Sequence, residues 1–298
     1  MYEWFPQGKD TKDLFLVRPD GSGTHAIATD VPGSHYSADW SPDGNTIAFV
    51  VRSDETPEGA IWTVRADGSG AALLSAGGDT CPVGLFHPRW SPDGTKLAVV
   101  CYPGGPTESL AVMDIATKTF KRLFTVDHPQ AIDNQPTWSP DGKTLAFDII
   151  QREPTETDAI GWLVAVVPTA GGTVKHLTEF DAFMSYPDWS PDGSAILMGA
   201  YDIHNIPATD HPSNLYTIKP DGTGLHQLTH SSADGTKRIG QARWSSDGKR
   251  ILVSVGVTQP PNTDLSDALL GFVAAAGGEP VFPATAIHGN RPDLRPTP

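Results

Sequence analysis

Five times along the chain an apolar run begins seven residues after a tryptophan. The runs start at Ile47 after Trp40, Leu97 after Trp90, Leu145 after Trp138, Ile196 after Trp189 and Ile251 after Trp244. Between each pair stands one polar block, Ser-Pro-Asp-Gly, varied only in Ser245-Ser246-Asp247-Gly248. The tryptophans are 50, 48, 51 and 55 residues apart. A further step of 50 from Trp244 reaches Leu294, inside Arg291-Pro292-Asp293-Leu294-Arg295-Pro296, which reads as a worn sixth copy. A fixed period near fifty is the mark of a repeat architecture.

Within the block, Pro presets φ at the second turn position, Asp can bond its own backbone, and Gly accepts φ > 0 at the exit. The block therefore predicts a tight hairpin turn with a glycine bulge. In the copy around Trp90, strands are expected over 87–91, 96–101, 109–114 and 120–124, four antiparallel strands and no helix. Third strands add an aromatic at Phe15, Trp62 and Tyr216. Trp40, Trp90, Trp138, Trp189 and Trp244 read as structural, packed between sheets. The turns Asp20-Gly21, Asp67-Gly68 and Asp221-Gly222 do not have the spacing of an EF-hand loop and read as plain hairpin turns.

A four-stranded sheet cannot bury both faces alone, so the copies must stack, and closing the ring protects the edges. The fold class expected is all-β: a six-bladed β-propeller of four-stranded antiparallel blades, residues 1–298 forming one domain. At the seam, a C-terminal first strand over 291–296 would join N-terminal strands over 2–5, 13–18 and 24–29.

Composition narrows the function classes. With 21 Lys plus Arg against 35 Asp plus Glu, the formal charge of −14 disfavours nucleic acid and anionic lipid. No apolar run approaches the length of a membrane span, and no signal peptide precedes the first strand. Cys81 and Cys101 flank the Trp90 block; they read either as buried thiols or as a disulfide, which would imply an oxidising compartment.

The tandem "WSPDGxxIAF … IWTVRADGSG" pattern resembles the WD-like propeller repeats of the TolB family, which also form the non-catalytic propellers of prolyl-oligopeptidase-type enzymes. It covers essentially the whole chain. The resemblance implies a scaffold for protein contacts and a periplasmic or extracellular location, although the N-terminal α/β domain of TolB is not recognisable here and a cytoplasmic location is the alternative. Such repeats fix a fold and not a function.

Turns between first and second strands, and between third and fourth, are nearly constant in length. The opposite face receives loops of variable length, over 52–59, 151–160 and 201–213, and is the candidate functional face. Residues just ahead of each tryptophan should line the channel mouth there: His35, Tyr36 and Ser37; Phe86 and His87; Asp133, Asn134 and Gln135; Tyr186; Gln241; Asn290 and Arg291. Three residues before the tryptophan the ring reads Ser37, His87, Gln135, Tyr186, Gln241 and Arg291, as a polar, water-filled channel or as a recognition surface. His25, His176 and His226 start outer strands and read as solvated. Acidic loop residues such as Asp54, Glu55, Glu58 and Glu108 would favour a basic partner on this face.

The reading favoured is a non-enzymatic, monomeric binding propeller that holds a protein or peptide on the variable-loop face, with no nucleic acid and no membrane insertion. The alternative is a sugar-active propeller enzyme, a polysaccharide lyase or glycosidase. Similarity to oligogalacturonate lyases implies for it a divalent metal in the central channel, held by His35, His87, Gln135, Gln241 or His288, with Arg291, Tyr186 or a histidine as base. The densest histidine cluster, over 202–211, is a further metal candidate. A peptidase reading fails because no G-x-S-x-G elbow occurs.

Overall fold

The computed structural model describes residues 1–4, 12–104, 106–153, 159–180, 184–201, 213–230, 237–257, 269–283, 287 and 293–295. Each Ser-Pro-Asp-Gly block folds through the same three hydrogen bonds. After Trp90, the Ser91 hydroxyl donates to Asp93 Oδ1 at 2.6 Å and accepts from the Lys96 amide at 2.9 Å. The Thr95 amide donates to the same Oδ1 at 3.0 Å. Ser41, Ser139, Ser190 and Ser245 repeat the pattern with Asp43, Asp141, Asp192 and Asp247. Gly94 exits at φ 69°, in the left-handed region that costs glycine nothing. This turn makes Trp90 and Leu97 direct cross-strand partners, as it does Trp40 and Ile47, and likewise in the other three copies. The five aliphatics are fully buried. The seven-residue spacing is therefore the register of one hairpin.

All strand pairing is antiparallel, and no α-helix occurs among the described residues. Strands β1 (Tyr2–Trp4), β2 (Asp13–Leu16) and β3 (His25–Ile27) form a three-stranded sheet. Next come β4 (Ser34–Trp40), β5 (Thr46–Arg52), β6 (Ala60–Arg65) and β7 (Ala72–Ser75), then β8 (Gly84–Trp90), β9 (Lys96–Gly104), β10 (Thr107–Asp114) and β11 (Phe120–Asp127). The following sheet holds β12 (Gln130–Ile132), β13 (Thr137–Trp138), β14 (Thr144–Arg152), β15 (Ala159–Pro168) and β16 (Lys175–His176). Strands β17 (Met184–Trp189), β18 (Ile196–Tyr201), β19 (Ser213–Ile218) and β20 (His226–Gln227) precede β21 (Arg243-containing Lys237–Trp244), β22 (Arg250–Val257) and β23 (Leu269–Ala274).

Five of these sheets carry a motif tryptophan, in the first strand or, for Trp138, in β13, the second piece of a first strand split into β12 and β13, and these are the five blades of the propeller. The expectation of six equal four-stranded blades is corrected at the seam. The worn sixth copy has lost its tryptophan, and no strand is assigned to it among the described residues. Asp293 instead exchanges two backbone hydrogen bonds with Met1, at 2.9 and 3.0 Å, at the edge of the β1–β3 sheet. In the β21–β23 sheet the fourth strand is reduced to a single bridge between Phe272 and Val281.

The core lies between sheets rather than inside any one. Ala48 and Ile61 pack on Leu85, Leu97 and Met113 of the next blade, and Leu110 and Val112 pack on Leu145 and Phe147. At the seam Leu270 and Ile287 meet Phe15 and Val17. The turns touch as well. A Cβ on Gly94 would lie 3.8 Å from Pro42 of the preceding turn, and Gly193 and Gly248 stand in the same relation to Pro140 and Pro191. Cys81 and Cys101 form a disulfide with Cα atoms 5.3 Å apart, which decides between the two readings of that pair. Glu108 belongs to β10 rather than to a loop, and its carboxylate accepts the Ile132 amide at 2.8 Å.

Candidate functional site

The first strands meet across the axis in two polar layers. The layer nearer the Ser-Pro-Asp-Gly turns is formed by the residue directly before each tryptophan: Asp39, Arg89, Thr137, Asp188, Arg243 and, before Leu294, Asp293. Arg89 spans the axis, with Nη1 2.7 Å from Asp39 Oδ1 and Nη2 3.1 Å from Asp188 Oδ1; Asp293 lies 3.8 Å away. The second oxygens of these carboxylates stitch blade to blade. Asp39 Oδ2 accepts the Trp90 amide at 2.7 Å, Asp188 Oδ2 that of Trp244 at 2.8 Å, and Asp293 Oδ2 that of Trp40 at 3.1 Å. Thr137 does the same for Trp189 at 3.4 Å. A buried charge is tolerated only when paired and hydrogen-bonded, and each carboxylate here meets both conditions.

Burial acts on this layer first. It pushes the Asp39 carboxyl up to about 7, against the pull of Arg89 and with reinforcement from Asp293. Burial alone would lower Arg89, but Asp39, then Asp188 and Asp293, hold its pKa above the ordinary guanidinium value. Arg243 is lowered by burial and then by Arg89.

The second layer sits three residues before the tryptophans. Gln135 Nε2 donates to the Ser37 carbonyl at 3.1 Å, and Arg243 Nη2 donates to Gln135 Oε1 at 2.8 Å. Ser37 Oγ and His87 Nδ1 are 3.0 Å apart. Ser37 and His87 stand on neighbouring blades, whereas the Gln135–Ser37 and Arg243–Gln135 bonds join non-adjacent ones, so side chains close across the axis. Ser37, His87 and Tyr186 hold left-handed φ values of 51°, 54° and 56°, and the strand register slips between Tyr36 and Asp39, Phe86 and Arg89, and Ser185 and Asp188. Each such bulge costs about 1–2 kcal/mol for a residue with a Cβ. It turns the strand so that the two polar layers face one axis. In β14, Asp148 supports the arrangement from behind: it accepts Asn134 N at 3.0 Å, Asn134 Nδ2 at 2.6 Å and the Tyr186 amide at 3.1 Å. Burial and the neighbouring Asp133 push its pKa up to about 7.

Above the seal, on the loop face, aromatic rings and cations alternate. Lys12 lies 5.2 Å from the Tyr36 ring centroid; the Arg52 guanidinium lies 6.0 Å from that ring and 4.6 Å from Phe86. Phe86 meets Tyr102 edge-on at 5.0 Å. Glu108, its pKa raised by burial, bonds the Tyr102 hydroxyl at the end of this row. A cavity of about 660 Å³ opens beside it, lined by Pro32, Arg52, Asp54, Glu55, Trp62 and Leu73.

The residues singled out from sequence therefore divide. Tyr36, Phe86, His87, Asp133, Tyr186 and Gln241 are partly exposed, and Asp133 accepts the Trp162 indole N–H at 2.9 Å. His35 is buried with Nε2 on the Val31 carbonyl at 3.0 Å, and Asn134 and Gln135 are buried. Asn290, Arg291, His204, His211 and His288 lie outside the described residues. His25, His176 and His226 are exposed, as expected. The reading missed the Asp/Arg layer and Asp148. Both had a signal: Asp, Arg, Thr, Asp, Arg, Asp at one repeat position, and a lone carboxylate inside "TLAFDII".

A structure of a protein assigned as TolB from Agrobacterium tumefaciens superimposes with a TM-score of 0.68 at 16% identity, over 92% of this chain and 88% of that one. TolB from Acinetobacter baumannii follows at 0.64 and 21%, over 93% and 61%. The fold is that of the TolB-like β-propellers. An oligogalacturonate lyase in complex with manganese shares it at 0.58 and 17%, over 88% and 70%. No family model matches the sequence. An uncharacterised protein of Agrobacterium fabrum, Atu1656, is 33% identical over 206 residues, 64% of this chain and 50% of its own length. The peptidase YuxL of Bacillus subtilis, itself uncharacterised, is 27% identical over 180 residues, 60% of this chain and 23% of its own length. The aligned region thus spans half of the first relative and about a quarter of the second.

Proposed function

We propose that this TolB-like propeller is a binding scaffold that holds an extended peptide segment of a partner protein on the loop face, at the sealed mouth of its axis. The observation that carries the reading is the row Lys12, Tyr36, Arg52, Phe86 and Tyr102. Aromatic surface and oriented cations lie side by side, a composition that interfaces favour over isolated charge. His87, its ring 6.3 Å from that of Phe86, adjoins that row, and Tyr186 and Gln241 stand at the matching positions of two other blades. In this reading residues 1–298 act as one domain.

A periplasmic or extracellular location suits the Cys81–Cys101 disulfide. Among the described residues no helix is long and apolar enough to cross a membrane. The lyase-like alternative has less support here. Gln135 Oε1, the atom that would ligate a metal, already accepts from the Arg243 guanidinium at 2.8 Å, and a cation beside it opposes a second one. His35 faces the Val31 carbonyl instead of the axis.

The test is peptide display on the immobilised protein, comparing wild type with the Tyr36→Ala/Arg52→Ala/Tyr186→Ala variant at matched Tm. Enrichment of a consensus whose binding falls at least about tenfold in the variant supports the reading. No enriched sequence, or full retention by the variant, refutes it. Turnover of oligogalacturonates with added Mn²⁺ would replace it with the enzyme.

A further inference from the structure

The opposite mouth of the axis, on the turn face, is used neither by the seal nor by the loop-face reading. It is a funnel of about 300 Å³ walled by Trp40, Trp90, Trp138, Trp189 and Trp244, with the Asp/Arg layer as its floor. The floor holds three carboxylates, Asp39, Asp188 and Asp293, against two guanidinium groups, Arg89 and Arg243. Behind the prolines and Ser246 that complete its lining, the same turns carry an outer rim of five carboxylates, Asp43, Asp93, Asp141, Asp192 and Asp247. All have pKa values below the ordinary range, chiefly because a Ser hydroxyl and a backbone N–H bond each of them; Asp93 and Asp192 reach about 2. Lysines on the same rim offset this in part: Lys96 is 3.9 Å from Asp93 and Lys143 3.7 Å from Asp141, and Lys249 acts on Asp247. Arg250 also acts on Asp247, and Arg295 stands over Trp40, so floor and rim together hold eight carboxylates against seven cations.

The chain also shows how such a wall takes a cation. Arg295 lays its guanidinium over the Trp40 ring, 5.4 Å from the centroid, and its Nε donates to the Gly44 carbonyl of the adjacent turn at 2.9 Å. The same turn, with a glycine carbonyl at the same place, follows each of the other four tryptophans.

We propose that the turn-face funnel is a second binding site, for an arginine presented by an extended basic segment of a partner protein. The indole wall supplies cation–π attraction, the turn carbonyls accept the guanidinium N–H groups, and the ionised rim draws a basic chain towards it. This site is independent of the loop-face reading and stands or falls separately.

The probe is a fluorescein-labelled dodecapeptide alternating Arg with Pro and Gly, compared with the same peptide carrying citrulline for arginine. Citrulline keeps the shape and removes the charge. Binding is followed by anisotropy at low salt, and indole N–H signals are followed by NMR. The expected result is an arginine peptide bound about tenfold more tightly than the citrulline peptide, with shifts at the five motif indoles. Asp93→Asn/Asp141→Asn/Asp192→Asn, which keeps each accepting oxygen, should weaken it several-fold. Tyr36→Ala/Arg52→Ala/Tyr186→Ala should leave it unchanged. Equal binding of the two peptides, no binding by either, or loss only in the loop-face variant would each overturn the proposal.

Discussion

At the scale of the residue, the decisive side chains are the ones that replace a hydrophobic core on the axis. Arg89 is the sole cation within 4 Å of Asp39 and Asp293 among the described ion pairs. Arg89→Met should therefore cost about 3–5 kcal/mol in urea unfolding, because it leaves buried carboxylates uncompensated. A loss below about 1 kcal/mol would mean that water reaches this layer. Asp148 makes a different prediction. Its folded pKa of about 7 lies above the ordinary value of 3.8. Between those values the folded state holds a proton that the unfolded state has lost. Its contribution to stability is complete below about pH 4 and is lost as pH rises to about 7. Asp148→Asn should flatten this slope, measured as the change in unfolding free energy between about pH 5 and about pH 8. The turn carboxylates act with opposite sign and only in acid, below about pH 4. Neither Arg89 nor Asp148 was singled out from sequence, although both are legible in retrospect. One repeat position alternates acid and base, but whether such residues face water or one another depends on which first strands meet across the axis.

At the scale of the element, the repeat is a hairpin whose chemistry is almost wholly local. The Ser-Pro-Asp-Gly block, the partnering of Trp with the aliphatic seven residues later, and the exposed His25, His176 and His226 all follow from turn geometry and strand alternation. Gly94→Ala tests that locality. It places a Cβ at φ 69° and 3.8 Å from Pro42, so a loss of about 1–2 kcal/mol is expected, with the blade intact by circular dichroism. Trp138→Ala should cost about 3–5 kcal/mol. Among the described residues Trp138 is also the motif tryptophan whose indole N–H is bonded, to the Arg89 carbonyl at 3.0 Å, so its loss also removes that bond between blades. What the hairpin rules could not see is the bulge at Ser37, His87 and Tyr186. No turn residue marks it. It arises where the first strand must bend towards the axis, and it moves these residues out of plain strand alternation.

At the scale of the whole molecule, stacking decides what each blade is worth. The clusters that bury Leu97, Leu145 and Ile251 are shared between neighbours, so no blade has a core of its own. The disulfide adds a constraint inside one blade: replacing Cys81 and Cys101 together by Ser, across a separation of 20 residues, should lower stability by about 2–4 kcal/mol. Thermal unfolding with and without reductant is the check, and wild type under reductant should match the double variant.

The sequence by itself determined the repeat, the hairpins, the all-β class and the likeness to TolB-type propellers, because these rest on contacts within about ten residues of one another. The tertiary structure alone decided the seam, where Asp293 meets Met1, and the sealing of the axis. It also decided the division of the candidate ring into buried braces and partly exposed side chains. Those outcomes depend on pairs 50 to 292 residues apart, such as Ser37 with His87 and Met1 with Asp293. Repeat symmetry makes such positions equivalent in the sequence, and only the closing of the ring brings their different side chains together.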